Sequence, residues 1–521
     1  GVEFLDTQTG DVAAHHWMRG SCFYGVLPAN GRLYVPPHDC ACYVRAKLAG
    51  FMALNANAPS RRNEVPDNRR LQRGPAYGTI KTDDTMQAAA DDWPTYRHDA
   101  SRSGRASTQL APELLLGWQQ KVGDRLTAPV VAQGRVYLAS TETHTLFALD
   151  AATGEEVWQT TFDGPIDSPP TIYQGLVLCG CRDGSVHALR ADDAARVWRF
   201  IASPEERRIV SRGRLESAWP VNGSVLVEND RAYFAAGKSS YLDGGIRLYG
   251  LDPRTGEKKF KKVLSSRAPD GSEILDEEGV DGCLSGILSS NGQRLFMRHR
   301  VFDLTGESKQ ERIVHLHGAD GFLSEDTTHR LLWTFAPMFT SPHQGAFYDM
   351  RLSRTIFPSG RILSEGEETI YGFGQNHYDR MSADPGGQWG LFAAHKQNDV
   401  PLDLTAREYR ELALSKKKSV QFRWWKPIPI QVRALVKTDG VLYVAGPLGS
   451  ESTSQDALDG NAEAMLLAVS PDDGRVLAEM TLPSTPVWDG MAAAAGNLFV
   501  SLANGQVLCL WPIDSGRPGT P

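Results

Sequence analysis

The sequence predicts an all-β propeller of four-stranded antiparallel blades, seven of them or eight, with the ring closed by an amino-terminal strand. Three observations predict it. A unit of alternating apolar residues between Gly-bearing turns runs from Ala128 to Phe162 and recurs along the chain. The turn D-x-x-T-G stands at Asp6, Asp150 and Asp252, and Trp recurs at the matching strand positions Trp158 and Trp198. The last copy holds only three strands, and a spare strand of the fourth kind stands ahead of the first copy.

The first unit shows how each strand is read. Val130 and Val131 lie in strand one, Val136 to Ala139 in strand two, Leu146 to Leu149 in strand three and Val157 to Thr160 in strand four. Period-two alternation between tight turns is the mark of antiparallel strands. In Asp150-Ala-Ala-Thr153-Gly154, Asp and Thr side chains can bond nearby backbone N–H groups, and Gly allows the left-handed conformation that closes the turn. Trp158 follows, large enough to fill the space between neighbouring sheets. The unit repeats at Thr171–Phe200, where Leu189 and Trp198 match Leu149 and Trp158 and the turn has decayed to Arg190-Ala-Asp-Asp-Ala. It repeats again at Val225–Phe260, around Asp252-Pro-Arg-Thr255-Gly256. Further copies centre on Leu295–Gly306, Thr369–Gly374, Val441–Gly474 and Asn497–Trp511, and Phe322–Pro337 decides between seven blades and eight. Leu114–Val122, with Trp118, supplies the strand the last copy lacks, which would leave few open sheet edges.

Outside that ring the same grammar continues. Residues 1–55 contain a third strand with its turn, Asp6-Thr-Gln-Thr9-Gly10, then Trp17 and two further strands, as if from the end of a preceding propeller or an extra blade. Residues 56–92 are polar, bear Pro and Gly, and read as a linker. Residues 93–513 form the propeller and 514–521 a flexible tail. Thr405-Ala-Arg-Glu408 is a capping box opening a short surface helix through Leu414.

Composition limits function. Of 521 residues 41% are apolar and 22% charged, and the net charge is −7 without basic runs, which excludes a nucleic-acid footprint. No segment reaches the roughly 20 apolar residues of a membrane span. The seven cysteines include no C-x-x-C, so no haem attachment site, zinc ribbon or other metal site is expected; Cys40/Cys42 and Cys179/Cys181 read as buried strand residues. No signal peptide is visible.

These residues resemble the pyrroloquinoline-quinone (PQQ)-like repeat family of propellers, shared by quinoprotein dehydrogenases, the BAM-complex propeller lipoprotein and repeat proteins of planctomycete type. Trp93-Pro-Thr-Tyr-Arg-His-Asp-Ala-Ser-Arg-Ser103-Gly104 is similar to the segment that precedes blade one in such proteins. The resemblance implies export, to a periplasmic or cell-surface location. It does not imply a bound quinone: that chemistry asks for adjacent cysteines over the cofactor, and the chain has no Cys-Cys pair, so no cofactor is expected and PQQ least of all.

The long insertions point to a working surface. Ser203–Pro220, Gly237–Gly245, Ser265–Gly282 and Gly446–Asn461 all follow second or fourth strands, which places them on the face opposite D-x-x-T-G. Candidate ligand-binding residues there are Arg207, Arg208, Trp219, Trp389, Trp424 and Trp488. The expected function is a non-catalytic binding or scaffold propeller, whose partner is a protein or the polypeptide that precedes Gly1. The alternative is a polysaccharide lyase or hydrolase acting on an acidic carbohydrate, with Tyr241, His343, His377 and Tyr378 as acid–base candidates and Arg212 and Arg380 to neutralise a carboxylate. A PQQ-dependent dehydrogenase ranks third.

Overall fold

The computed structural model describes residues 2–15, 17–18, 20, 24–36, 51–55, 64–80, 89–211, 213–268, 272, 274, 282–318, 333–337, 356–375, 388–397, 399–404, 408, 411–412, 415, 420–449 and 455–513. The fold is a nearly all-β propeller of antiparallel blades. Among the described residues eight sheets of three or more strands follow one another from Val130 to Pro512. Sheet 1 comprises Val130–Ala132, Arg135–Ser140, Thr145–Asp150 and Glu156–Thr161, in chain order from inner to outer strand. Sheet 2 (Thr171–Tyr173 to Arg196–Ile201), sheet 3 (Val221–Glu228 to Lys258–Leu264) and sheet 4 (Leu288–Ser290 to Ser308–Lys309) repeat that order. Sheet 5 has three described strands, His315–His317, Trp333–Ala336 and Ser359–Gly360. Sheet 6 (Ile362–Glu365 to Phe422–Lys426) and sheet 7 (Ala434–Lys437 to Val476–Leu482) return to four strands.

Sheet 8 joins the two ends of this array. Its strands Pro486–Ala494, Asn497–Leu502 and Gln506–Pro512 are completed by Leu114–Lys121, with Trp118 opposite Cys509. Its inner strand lies beside Val130–Ala132 of sheet 1. One core cluster accordingly runs through sheets 7, 8, 1 and 2, from Tyr443 and Leu466 past Phe499 and Leu146 to Val177.

The repeated turn and the repeated Trp turn out to be one device. Asp150 Oδ1 accepts the N–H groups of Ala152 and Thr153, both at 2.9 Å, and Asp252 does the same for Arg254 and Thr255 at 3.0 Å. The Trp of one sheet then donates its indole N–H to a carbonyl in the next sheet's turn. Trp118 reaches Ala151 at 3.0 Å, Trp158 reaches Ala191 at 2.8 Å, Trp198 reaches Pro253 at 3.0 Å and Trp424 reaches Pro471 at 2.8 Å. Gly154 has φ +76°, and a Cβ there would stand 2.6 Å from the Trp118 ring, so its absent side chain serves the turn and the ring together. Where the turn has decayed, Ala194 occupies the same conformation at φ +59°.

One outlying reading changes with the structure in hand. Within the stretch read as a linker, Leu71–Arg73 pairs with Arg196–Ile201 as a fifth strand on sheet 2, and Arg70 donates to the carbonyls of Ile201 and Ser203 at 3.0 and 2.8 Å. Composition gave no hint of this, because a three-residue edge strand needs no apolar face of its own. Val2–Leu5 and Val12–His15 form the expected pair around Asp6, which accepts from Gln8 N at 2.8 Å. Leu27–Ala29, Arg32–Val35 and Met52–Asn55 form a three-stranded sheet. Of the expected helix at 405–414, only Glu408, Glu411 and Leu412 lie within the described residues, and they are helical. No helix among the described residues is long and apolar enough to cross a membrane, which says nothing of strands.

Candidate binding face

The two ends of the propeller axis are built differently. The turns after strands one and three share one face, as shown by Ala151 N donating to Gly134 O and Ala191 N to Gly175 O, both at 2.9 Å. Across the centre of that face runs the segment 93–108. Trp93 exchanges both backbone hydrogen bonds with Val131 of sheet 1, at 2.7 and 2.8 Å. Pro94 accepts from Ile172 of sheet 2, Ala100 from Ser290 of sheet 4, Ser103 from Glu365 of sheet 6 and Gly104 from Lys437 of sheet 7, at 2.8 to 3.0 Å. Thr108 Oγ1 accepts from Gly496 N of sheet 8 at 3.0 Å. A single stretch of chain therefore ties the inner strands together and caps the axis.

Two buried arginines lie in this cap. Arg97 forms an ion pair with Asp489 of sheet 8 at 2.7 Å, donates to Leu363 O of sheet 6, and stacks 4.5 Å over the ring of Trp333 in sheet 5. Arg102 donates to Leu288 O of sheet 4 at 3.0 Å and back to Thr95 Oγ1 and Tyr96 O at 2.8 and 2.9 Å. Burial lowers Arg102 to about 10, which still leaves it protonated at neutral pH. Arg97, His98 and Arg102 sit at φ +57°, +78° and +62°. Left-handed backbone costs a residue with a Cβ about 1–2 kcal/mol, so the buried contacts must overdetermine it.

The opposite face receives the four insertions, which follow strands two and four as expected. After sheet 2 the chain makes a hairpin, Arg208–Ser211 with Arg214–Ser217. Its underside is pinned to the blades. Glu216 pairs with Arg182 and with Lys238, Lys238 also donates to Ser211 Oγ at 2.9 Å, and Arg214 pairs with Glu142. Arg182 holds Asp167 at 2.8 Å as well; burial pushes the Asp167 carboxyl up while Arg182 opposes it. The hairpin's upper side is bare. Val210 and Leu215, directly opposed, are 75% and 52% exposed.

The candidate residues fall into three groups. Arg208 is exposed at the foot of the hairpin. Arg207 pairs with Asp243 and stacks 4.7 Å over Trp219, whose other neighbour is Arg247 at 5.4 Å, and Trp219 donates to Asp243 O at 2.8 Å. That makes Trp219 a buried fastening for the insertions and leaves Arg207 as its cover. Trp424 is the sheet 6 to sheet 7 lock described above, Trp389 packs on Phe373 with Arg361 above it, and Trp488 packs partly buried with Arg433 at 5.9 Å. Tyr241 is 2% exposed, stacked 6.2 Å from Trp17 in a small core with Met18, Leu33 and Val35. An aromatic ring in a polar insertion reads as available for chemistry, yet here residues 1–55 supply it with a partner. Arg212, His343, His377, Tyr378 and Arg380 lie outside the described residues.

Two features escaped the sequence reading. Arg97 and Asp489 are far apart in the chain, and no local pattern joins them. Cys181, Asp183 and His187 come together at one sheet 2 turn, with one ligand-type atom of each within 4.8 Å of the others, where no metal-ligand group was expected. A quinone would ask for a vicinal cysteine pair. The sequence has none, and the described cysteines Cys179, Cys181, Cys283 and Cys509 are buried, so no reaction step is assigned through a quinone.

Comparison with known proteins agrees with this architecture. Residues 115–298 match the family described as outer membrane protein assembly factor BamB. The BamB of Burkholderia pseudomallei is 31% identical over 148 residues, 28% of this chain and 34% of that protein. A quinohemoprotein alcohol dehydrogenase of Comamonas testosteroni is 37% identical over 84 residues, 14% of this chain and 12% of that one. The serine/threonine-protein kinase AfsK of Streptomyces coelicolor is 36% identical over 151 residues, 29% of this chain and 16% of that one. The chain thus spans about a third or less of the curated relatives it matches. The crystal structure of the Comamonas dehydrogenase superposes with a TM-score of 0.51 at 14% identity over 81% of both chains, a likeness of fold alone. Three relatives with three different names share the repeat, so the repeat carries architecture rather than activity. The chain is a β-propeller, and its residues 115–298 carry the PQQ-like repeats that the BamB family model matches.

Proposed function

We propose that this protein is a non-catalytic binding propeller, eight-bladed and closed by Leu114–Lys121, whose working surface is the face opposite the D-x-x-T-G turns. One observation carries the reading: the pinned hairpin Arg208–Ser217. Its sheet holds two strands, so the outer edge of Arg208–Ser211 has no strand beside it among the described residues. An exposed edge with an apolar pair above it and a rigid ionic base below suits addition of a strand from a protein partner. Holding the hairpin in place before binding removes part of the ordering cost. The BamB relatives are named as assembly factors of outer membrane proteins, which supports a scaffold role and a periplasmic or cell-surface location.

Nothing specific favours the polysaccharide reading. Tyr241 is enclosed by Trp17, and its other five candidates lie outside the described residues. The test is a photo-crosslinking residue placed at Val210, with Val476 on an outer strand as control. A protein adduct is expected at position 210 and not at 476, and V210D/L215D should weaken it at least about tenfold. Equal labelling at both positions, or none at 210, counts against the reading.

A further inference from the structure

We propose that Cys181, Asp183 and His187 form a binding site for a borderline-soft divalent cation of the zinc type. The three surround the turn between strands two and three of sheet 2, on the face that carries the insertions. Cys181 and His187 share one side of the sheet, because His187 lies opposite Cys179, two residues before Cys181. Asp183 Oδ2 stands 3.9 Å from His187 Nε2, and both side chains are nearly out of solvent, at 2% and 7%. Thiolate, carboxylate and imidazole are zinc donors. Tetrahedral bonds of about 2.0–2.3 Å bring donor atoms about 3.3–3.6 Å apart, so a small contraction converts this cluster into a coordination shell. Ser185 Oγ lies beside them, 3.4 Å from His187 Nε2.

The neighbouring repeat fills the flanking strand positions differently, around a turn one residue longer. In sheet 1 the same strand positions hold Ser140, Phe147 and Gln159 where sheet 2 has Cys181, His187 and Arg199. Ser140 Oγ donates to Asp124 O at 2.7 Å, just as Cys181 Sγ contacts Gly164 O at 3.3 Å. A hydroxyl therefore serves the structural bond, and serves it better than a thiol. Arg199 is the competitor for the site, 2.6 Å from Asp183 Oδ2. It is also 3.4 Å from Asp163, a second carboxylate to which it can turn when a cation takes Asp183. On binding, the Cys181 Sγ–H bond breaks, a metal–sulfur bond forms and the proton leaves to solvent, so affinity must fall as pH is lowered.

The test uses the full chain, reduced and stripped of metal, titrated with Zn(II) alone and with Co(II) alone. One tight equivalent is expected, with a thiolate-to-cobalt charge-transfer band and a rise in melting temperature. C181S should abolish the band, and C181S and H187Q should each weaken Zn(II) at least about tenfold, while C283S binds as the parent does. No tight equivalent in the parent overturns the proposal. So does a site that C181S and H187Q leave unchanged. Should H187Q fail to fold, C181S alone decides through the band.

Discussion

Sheets 1 to 3 and sheets 4 to 6 solve the same packing problem by different means. From sheet 8 round to sheet 3, Trp118, Trp158 and Trp198 each fasten a sheet to the next sheet's turn. Between sheets 3 and 4 the device weakens to Phe260, which packs where Gly306 lacks a side chain but has no N–H to donate. Sheet 4 then ends in the two-residue strand Ser308–Lys309, and no such lock joins sheets 4, 5 and 6 among the described residues. That is the sector to which the cap sends its arginine side chains. Arg102 holds Leu288, Arg97 stacks on Trp333 and bonds Leu363, and Arg105 pairs with Glu367 at 2.8 Å. Long-range fastening replaces the repeat's own lock where the repeat has decayed. The contrast teaches that irregular blades need not be loose ones.

The largest effect should come from breaking the lock itself. Trp198→Ala removes a ring that is fully buried and should cost about 3–5 kcal/mol in urea unfolding. The same truncation at half-buried Trp389, in the other sector, should cost about 1–2 kcal/mol. Equal losses would erase the distinction between the two sectors. Next comes Asp489→Asn, which strands the Arg97 guanidinium and should cost about 3 kcal/mol.

A smaller effect is set by pH. Burial raises Asp99, but hydrogen bonds from His98 and from Ser103 more than offset it and hold the carboxyl at about 2. Its folded value is depressed, so its contribution is fully present above about pH 4 and is lost as pH falls toward 2. The stability difference between the parent and D99N should shrink over that window and stay flat above it. The smallest effect is a gain. Ala194→Gly relieves a left-handed alanine in sheet 2's decayed turn and should stabilise by about 0.5–1 kcal/mol, read as a small rise in the urea midpoint.

The sequence made the regular sector readable and hid the other. Trp158, Trp198 and the Asp150 and Asp252 turns are local patterns of fixed spacing, and Trp118 betrayed its strand by carrying the same ring. The cap was visible only as a run beginning at Trp93. Its purpose depends on Asp489, Leu363 and Leu288, which only folding brings near. Trp219, Trp424 and Tyr241 share one trait the sequence does not show: a large ring in a polar stretch looks exposed until its cover, Arg207, the sheet 7 turn or Trp17, is in place. The Cys181, Asp183 and His187 group lies within seven residues and could have been found by folding that hairpin on paper.

The account turns on whether Arg97 and Asp489 fasten the sector that lacks tryptophan locks. Hydrogen–deuterium exchange, comparing the parent with Asp489→Asn under native conditions, tests this most directly. Faster exchange is predicted in His315–His317, Trp333–Ala336 and Ile362–Glu365, with Arg135–Ser140 and Leu176–Cys181 unchanged. Equal acceleration in all five strands, or none in the first three, would contradict it.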